Sequence, residues 1–273
     1  MEHNIKTVAI IQARMASTRL PGKVMLPISD RPMLAYLLDR VAAAKTLDDL
    51  VVATTNASED SQVAKLAKDS GYGVYRGSEN DVLDRFFEAA RRFQAQTVVR
   101  ITADCPLIDP DLIDLIVNAF FENKVDYASN VSPPTFPDGL DVEVFTFKAL
   151  QIAHKDATRA FEREHVTPYI RDSGHFSCFN VTHSTDLSAN RWTVDEPEDL
   201  EVVRQVFRDF HPEARFGWQE VLSLVQTKPD IFRLNQHIGR NEGSQMNKGQ
   251  KLWRRAKRVI PGGNMLLSKR PEM

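Results

Sequence analysis

The chain contains little cysteine and no long apolar run. Its two cysteines, Cys105 and Cys178, lie far apart and form no C-x-x-C pair, which argues for a reducing compartment and against a structural zinc site. No apolar run reaches the roughly 20 residues that span a bilayer, and the N-terminus lacks the basic start and apolar core of a signal peptide. We therefore expect a cytoplasmic protein with no membrane partner.

Two widespread nucleotide-binding signatures are absent as well. G-x-G-x-x-G does not occur, and Gly22-Lys23 is followed by Val24 with no glycine five residues before Gly22. These absences remove the main support for a dehydrogenase or a P-loop ATPase. The D-x-D pair that glycosyltransferases commonly use does not follow the central predicted strand.

The net charge of −2 is unevenly distributed along the chain. Residues 241–273 carry eight Lys or Arg against two Glu, a net of +6, so residues 1–240 carry a net of −8. An acidic body argues against broad nucleic-acid binding, which needs a basic face. The chain length of 273 residues suits a single α/β catalytic domain with some excess.

Apolar runs alternate with amphipathic stretches through the first 122 residues. Such alternation predicts an α/β fold with a doubly wound, mostly parallel sheet and helices on both faces. After residue 126 the rhythm changes, and the pattern predicts mixed-pairing strands that form a substrate-binding insertion. The predicted strands are 8–11, 51–54, 73–76, 98–102, 127–130, 140–145 and 176–181; the predicted helices are 31–44, one from about 60, 81–94, 111–122, 147–154, 163–170 and one from 197.

The segment from Gln12 to Lys23 is the most informative part of the chain. It follows the first predicted strand and carries three cations and two hydroxyls, at a strand end where α/β proteins commonly bind ligands. Arginine forks, a lysine ammonium, hydroxyls and free loop amides are suitable donors to polyphosphate oxygens. The alternative is an ordinary solvated basic loop.

Two aspartates follow predicted strands. Asp104 comes directly after the strand 98–102, and Asp195 follows the apolar stretch 192–194, which predicts another short strand. Each alone could be a turn or helix cap, and Asp195 is well placed to cap the helix that begins at Pro197. Because Mg²⁺ is typically held by one or two carboxylates plus substrate phosphates, the two together predict a magnesium site facing the basic loop.

The pattern A-R-x-x-S-T-R-L-P-G-K at 13–23 resembles the signature of the cytidylyltransferases that make CMP-KDO and CMP-neuraminate, and is most similar to the branch called spore-coat polysaccharide synthesis protein F. The resemblance implies a Rossmann-like sheet of the nucleotide-diphospho-sugar transferase type, a homodimer, and Mg²⁺-dependent transfer of CMP from CTP to a sugar acid or related acceptor. It implies a metal held by Asp104 and Asp195. It also implies contacts to the triphosphate from Ala13, Arg14, Ser17, Arg19 and Lys23.

A glycine-serine turn at 77–78 enters the helix predicted from Asp81. Backbone amides and polar side chains at such a turn would suit a base or a ribose. The resemblance implies a nucleotide-recognition role for Ser78, Asp81 and Arg85. A plain N-capped helix explains the same residues nearly as well.

Two clusters, G-L-D-V-E at 139–143 and E-R-E-H-V-T-P at 162–168, resemble the spore-coat branch in particular. Asp141 and Glu143 lie two residues apart on one predicted strand face, with Asp138 in the turn before them. Like-charged neighbours repel each other, so they are tolerated best where they bind a metal or sugar hydroxyls, or where the strand face is exposed to solvent. Arg163 and His165 are the candidates in the second cluster, although a lone histidine is commonly structural. We expect all five residues to bind the acceptor, with Asp141 as the base.

The C-terminal segment differs from the rest of the chain. We expect a nucleotidyltransferase domain at 1–238, a polar linker at 239–248 and the truncated start of another domain at 249–273. The last segment, L-W-R-R-A-K-R-V-I-P-G-G, resembles the opening of class III PLP-dependent aminotransferases of the glutamate-1-semialdehyde aminomutase type. The alternative is a basic tail that binds a partner, and no PLP activity is predicted for this piece.

Two other functions remain compatible with the sequence. A glycosyltransferase that uses a nucleotide sugar on the same kind of sheet would need a similar acidic site. A regulatory nucleotide-binding module would need the loop without the chemistry. Release of pyrophosphate distinguishes the cytidylyltransferase from both.

Overall fold

The structure, a computed structural model, describes residues 5–211 and 216–240. The chain divides into a unit that ends at Asn235 and a second unit that begins at Gln236. The segment 249–273, which resembles an aminotransferase, lies outside the described residues, as does most of the predicted linker. Within the part of the chain that is described, no helix is long and apolar enough to cross a membrane.

A seven-stranded sheet forms the centre of the first unit, in the order β3-β2-β1-β4-β6-β5-β7. Strands β3, β2, β1 and β4 are parallel, β6 runs antiparallel to both β4 and β5, and β7 pairs in parallel with β5. The predicted mostly parallel sheet with a mixed region is confirmed. The strands are β1 Thr7–Gln12, β2 Asp49–Thr55, β3 Gly73–Gly77, β4 Thr97–Thr102, β5 Tyr127–Ser129, β6 Glu143–Thr146 and β7 Cys178–Asn180.

Ten helices surround this sheet within the described residues. They are α1 Met33–Ala42, α2 Ser61–Asp69, α3 Val82–Arg92, α4 Pro110–Asn123, α5 Phe147–Asp156, α6 Ala160–His165, α7 Pro168–Asp172, α8 Pro197–Asp209, α9 Trp218–Thr227 and α10 Pro229–Arg233. Strand β1 shows why they occupy both faces. Its residues 8–11 are all fully buried, with Ala9 and Ile11 in the core under α1, α4 and α8, and Val8 and Ile10 in the core under α3 and α5.

Three predicted elements differ from the structure. The helix predicted at 163–170 is two helices, α6 and α7, because Val166 between them has φ +71° and ψ −60° and cannot continue a helix. The strand predicted at 140–145 begins only at Glu143. The stretch 192–194 is not a strand, and the neighbouring Arg191 forms only an isolated bridge with Asp138.

Candidate active site

The loops after β1 and β4 meet the segment 191–195 at the carboxyl edge of the parallel strands. The Ala103 amide donates to the Gln12 carbonyl at 3.0 Å, which keeps β1 and β4 side by side to their ends. The Asp104 carbonyl accepts the Val194 amide at 2.8 Å and the Thr193 hydroxyl at 3.2 Å. Backbone bonding therefore brings the two predicted metal ligands together.

The Lys23 ammonium lies between the two aspartates. Its Nζ donates to Asp104 Oδ2 at 3.0 Å, to Asp195 Oδ1 at 2.9 Å and to the Val194 carbonyl at 2.7 Å. An ammonium has three donors, so all of them are used. Lys23 thus brings the end of the basic loop into contact with Asp104 and Asp195. In this arrangement, however, Lys23 has no N–H left for a phosphate oxygen, which the prediction did not anticipate.

Charge as well as geometry holds this cluster together. Burial alone would lower the pKa of Lys23, but Asp104 and Asp195 outweigh it and raise that pKa. Burial alone would likewise raise the pKa of Asp104, but Lys23 and the Thr102 hydroxyl bring it down to about 2. Lys23 and Asp104 therefore both carry charge near neutral pH.

Asp195 does not cap helix α8. The N-cap is Glu196, and the amides of Asp195 and Glu196 both donate to Asp199 Oδ2 at 2.9 Å. Because Asp199 satisfies these amides, the Asp195 carboxylate contacts cations instead: besides Lys23, it lies 2.6 Å from Arg19 Nη2 and 3.2 Å from Arg191 Nη2.

A buried arginine, Arg191, contacts one of the two aspartates of the site and two further carboxylates. Arg191 contacts three carboxylates, through Nη1 to Asp138 at 3.1 Å, through Nη2 to Asp195, and through Nε and Nη2 to Asp199 at 2.9 Å each. Although burial opposes it, these contacts raise the pKa of Arg191. Asn235 adds hydrogen bonds to the Asp199 carboxylate and the Arg191 carbonyl. The Asp195 carboxylate is thereby fixed in direction.

We expected free backbone amides of the basic loop to donate hydrogen bonds to phosphate, but most of these amides already donate to acceptors within the protein. Ser17 and Gly22 donate to the Met15 carbonyl at 2.9 Å, and Leu20 donates to the Ser17 hydroxyl at 3.3 Å. Ala13 is buried, and its amide donates to the Ala53 carbonyl at 3.3 Å. A phosphate-binding role for this loop therefore rests on side chains, chiefly those of the half-buried Arg14 and Arg19.

The predicted base-recognition residues lie at the start of α3. Asp81 caps this helix by accepting the Asp84 amide at 2.9 Å, and Ser78 accepts the Asp81 amide at 3.1 Å. The capped-helix alternative therefore describes both residues. Arg85 is fully buried and donates to the Ser78 carbonyl, but its Nε and Nη2 have no hydrogen-bond partner among the described residues.

Glu143 differs from its predicted substrate-binding role. It is 5% exposed, and its carboxylate accepts from Arg100, from the Tyr127 hydroxyl at 2.7 Å and from the Thr167 hydroxyl at 2.6 Å. The side chain is thus saturated by partners inside the protein. Burial would raise the pKa of Glu143, but Arg100 and the two hydroxyls lower it.

This saturation gives a pH-dependent prediction. Glu143→Gln should lower the free energy of unfolding at neutral pH by about 2–3 kcal/mol, because Arg100 loses its buried negative partner. The folded-state pKa of Glu143 lies below the ordinary value of 4.5. Its stabilisation is therefore complete above that value and is lost as the pH falls through the folded-state pKa. In thermal unfolding the deficit should shrink as the pH is lowered.

The exposed Glu164→Gln serves as the control for this series, and it should melt like the unaltered protein at every pH. A deficit for Glu143→Gln that is the same at acid and neutral pH would contradict a stabilising role for the ionised carboxylate.

Other predicted acceptor residues lie in different surroundings. Arg163 is bound to Asp81 through Nε and Nη2 and to the His154 carbonyl, so it joins α6 to the start of α3. Asp138 is 8% exposed and paired with Arg191. Asp141 is half-buried, and its charge adds to burial and to the charge of Asp104 in raising the pKa of the Cys105 thiol. His165 is half-exposed, with its ring centroid 4.5 Å from that of Phe161.

Residues 8–216 match the family model for cytidylyltransferases. The chain belongs to the cytidylyltransferase family. It is therefore a nucleotidyltransferase, as the loop at 13–23 predicted. The spore coat polysaccharide biosynthesis protein SpsF of Bacillus subtilis is 32% identical over 231 residues, which cover 81% of this chain and 94% of SpsF.

Solved structures agree with this assignment. A cytidylyltransferase from Leptospira borgpetersenii is 34% identical, with a TM-score of 0.81 and coverage of 86% of this chain and 100% of that one. The CMP:2-keto-3-deoxy-manno-octonic acid synthetase solved with CTP is 17% identical, with a TM-score of 0.59 and coverage of 75% and 99%. This second likeness shows that the fold is shared and confirms the predicted fold type.

One glycine fixes the distance between two segments of this cytidylyltransferase. Gly139 has φ +111°, and a Cβ there would lie 2.6 Å from the Thr193 nitrogen and 2.7 Å from the Trp192 carbonyl carbon. Gly139→Ala should therefore displace 191–195, lower stability by about 2–4 kcal/mol and reduce turnover by moving Asp195. Thermal unfolding and pyrophosphate release would measure both effects.

Gly174→Ala is the matched control, because Gly174 has φ +76° but an added Cβ there would meet no atom of the described residues within 4 Å. It should show backbone strain alone and keep its turnover. Equal losses for the two variants would mean that contact with 191–195 is unimportant.

Several residues at this site were not predicted from sequence. Arg191 and Asp199 lie within the R-W-T-V-D-E-P-E-D-L stretch, but nothing in that pattern indicates that they bond each other. Asp60 was predicted only as a helix start.

Proposed function

We propose that this enzyme transfers CMP from CTP to a sugar acid or a related sugar-like acceptor, with Mg²⁺ and with release of pyrophosphate. The observation that carries the proposal is the bridging of Asp104 and Asp195 by Lys23, the last residue of the basic loop. This arrangement combines two carboxylates for a cation with arginines for a polyphosphate. CTP is supported by the related synthetase solved with that nucleotide, and polysaccharide synthesis by the name of the SpsF relative.

The donor set fits a hard divalent cation. Asp104 and Asp195 have side chains that are 27% and 17% exposed, so both are reachable, and both supply oxygen ligands. Among residues 5–211 and 216–240 no cluster of three or more His, Cys, Asp or Glu is arranged for a metal ion. A two-carboxylate site of this kind suits Mg²⁺ that is also bound by substrate phosphates. When bound there, the cation would supply charge neutralisation at the phosphate oxygens.

The residues of the chain would mainly position the reactants and stabilise charge. Arg14 and Arg19 would bind the triphosphate, with Ser17 beside them, and Lys23 would balance the acidic pair. Arg85, with its unpartnered nitrogens, and Ser78 would lie toward the nucleoside. Asp141 would accept the proton of the acceptor hydroxyl as that oxygen attacks the α-phosphorus and pyrophosphate leaves.

A pyrophosphate-release assay tests the proposal. The purified chain would be given each nucleoside triphosphate with Mg²⁺ and a panel of ulosonic acids, amino sugars and sugar phosphates. We expect release with CTP and at least one acceptor. If no combination exceeds the acceptor-free control, transfer to these acceptors is refuted. UDP release from a UDP-sugar would instead support a glycosyltransferase.

A further inference from the structure

Asp60 is a buried carboxylate that takes no part in the proposed reaction steps. It is 1% exposed and ends the short 3-10 turn Ser58–Asp60 between β2 and α2. Although it stands at the N-cap of α2, its side chain makes no capping bond to that helix. Instead, Oδ1 accepts the Met15 amide at 2.6 Å, and Oδ2 accepts the Thr55 hydroxyl. The side chain therefore bonds the loop after β1 rather than its own helix.

The backbone of Met15 makes three of the hydrogen bonds that hold that loop. Its carbonyl accepts the amides of Ser17 and Gly22, both at 2.9 Å, while its own amide is held by Asp60. Gly22 has φ +70°, and a Cβ there would lie 3.1 Å from Met15 Cε. Lys23 follows directly and bonds the two aspartates. The loop is thus held by Asp60 at Met15 and by Asp104 and Asp195 at Lys23, and Arg19 adds a further contact to Asp195.

The charge of Asp60 also acts on Arg85. Burial and, after it, the charge of Arg14 lower the pKa of Arg85 to about 10, whereas the charge of Asp60 opposes this shift. Asp60 therefore also favours the charged form of Arg85. A carboxylate bonded to a backbone amide makes a charge-assisted hydrogen bond, which is stronger than a neutral one.

We propose that Asp60 is a positioning residue for the nucleotide: by binding the Met15 amide it holds residues 13–23 in the conformation that presents Arg14 and Arg19 to the triphosphate. This inference rests on the proposed function, because it assumes that the loop binds the triphosphate. Asp60 itself does not touch the nucleotide. Asp60 bonds the loop at Met15, whereas Asp104 and Asp195 bond it at Lys23.

The test compares Asp60→Ala with Asp60→Asn in the full chain. Asp60→Ala should raise the calorimetric Kd for CTP, and the KM for CTP, by about 10- to 100-fold while the acceptor KM stays within about twofold. Asp60→Asn should recover most of the affinity, because its oxygen still accepts from Met15 and its amide can donate to the Thr55 hydroxyl. Without nucleotide, hydrogen exchange at Met15, Ser17 and Gly22 should be faster in Asp60→Ala alone.

Asp109→Ala is the matched control. Asp109 is 2% exposed, also follows a parallel strand, and also binds backbone amides, those of Asp111, Leu112 and Trp218. Its loss should lower stability without changing the KM for CTP.

Two results would overturn the inference while leaving the proposed function intact. One is CTP binding by Asp60→Ala within twofold of the unaltered protein. The other is an equal rise in both KM values, which would indicate a general structural role. If the unaltered protein binds no nucleoside triphosphate, the proposed function fails and this inference fails with it.

Discussion

Asp104→Asn should lower the turnover of pyrophosphate release by about 10²- to 10⁴-fold, because it removes one of the two charged oxygen ligands proposed for the cation. The fold should persist. The Asp104 carbonyl, which accepts Val194 and Thr193, is unaffected by the change, and Lys23 keeps Asp195 and the Val194 carbonyl as partners. The loss should therefore appear chiefly in kcat, with a smaller fall in the thermal midpoint, because the ionised Asp104 carboxylate also stabilises the folded state through Lys23.

Asp111→Asn is the control for this variant, since Asp111 is exposed in the first turn of α4, on the same connection that follows β4. It should keep full turnover. Turnover of Asp104→Asn within about tenfold of the unaltered enzyme, at saturating Mg²⁺ and CTP, would remove Asp104 from the proposed metal site.

Arg191→Met should have the largest effect on stability, about 3–5 kcal/mol, because it leaves three buried or half-buried carboxylates without their shared cation. For a domain of this size that corresponds to a fall in the thermal midpoint of roughly 6–20 °C. Turnover should also fall in the remaining folded protein, because the Asp195 carboxylate loses the contact that fixes its direction.

Arg191→Lys separates charge from geometry in this cluster. A lysine keeps the positive charge but cannot form the paired bonds that the guanidinium makes with Asp199, so it should recover only part of the lost stability. A midpoint for Arg191→Met within about 2 °C of the unaltered protein would show that the three carboxylates tolerate the loss of their cation.

The sequence predicted the parallel half of the fold well, for a physical reason. Buried parallel strands read as continuous apolar runs, and the helices between them show a stripe of apolar residues, so both signals are local. The mixed region was predicted less accurately. Strand β6 starts at Glu143 rather than residue 140, and Val166 divides a predicted helix by a backbone angle that no residue pattern near it specifies.

The candidate site shows the same division. Residue type and strand-end position were enough to select Asp104 and the basic loop as candidates, whereas Asp195 was selected although the strand expected before it does not form. The partners of those residues were not predictable, because they come from distant parts of the chain: Lys23 lies 81 residues from Asp104 and 172 from Asp195. Glu143 is an example. The sequence predicts that its carboxylate binds the acceptor, but in the structure this carboxylate accepts hydrogen bonds from Arg100, Tyr127 and Thr167.

The sequence by itself therefore determined the fold class and the family and proposed the two acidic positions, because each depends on short patterns of residue type. Only the tertiary structure decided which charged side chains are already bonded within the protein and which remain available to a ligand. The order of the strands brings the loops after β1, β2 and β4 to one edge, and there Lys23 binds the aspartates, Arg191 fixes Asp195 and Asp60 binds the Met15 amide. Ion pairs and hydrogen bonds depend on the distance between atoms in space, and the separation of two residues along the chain does not determine that distance.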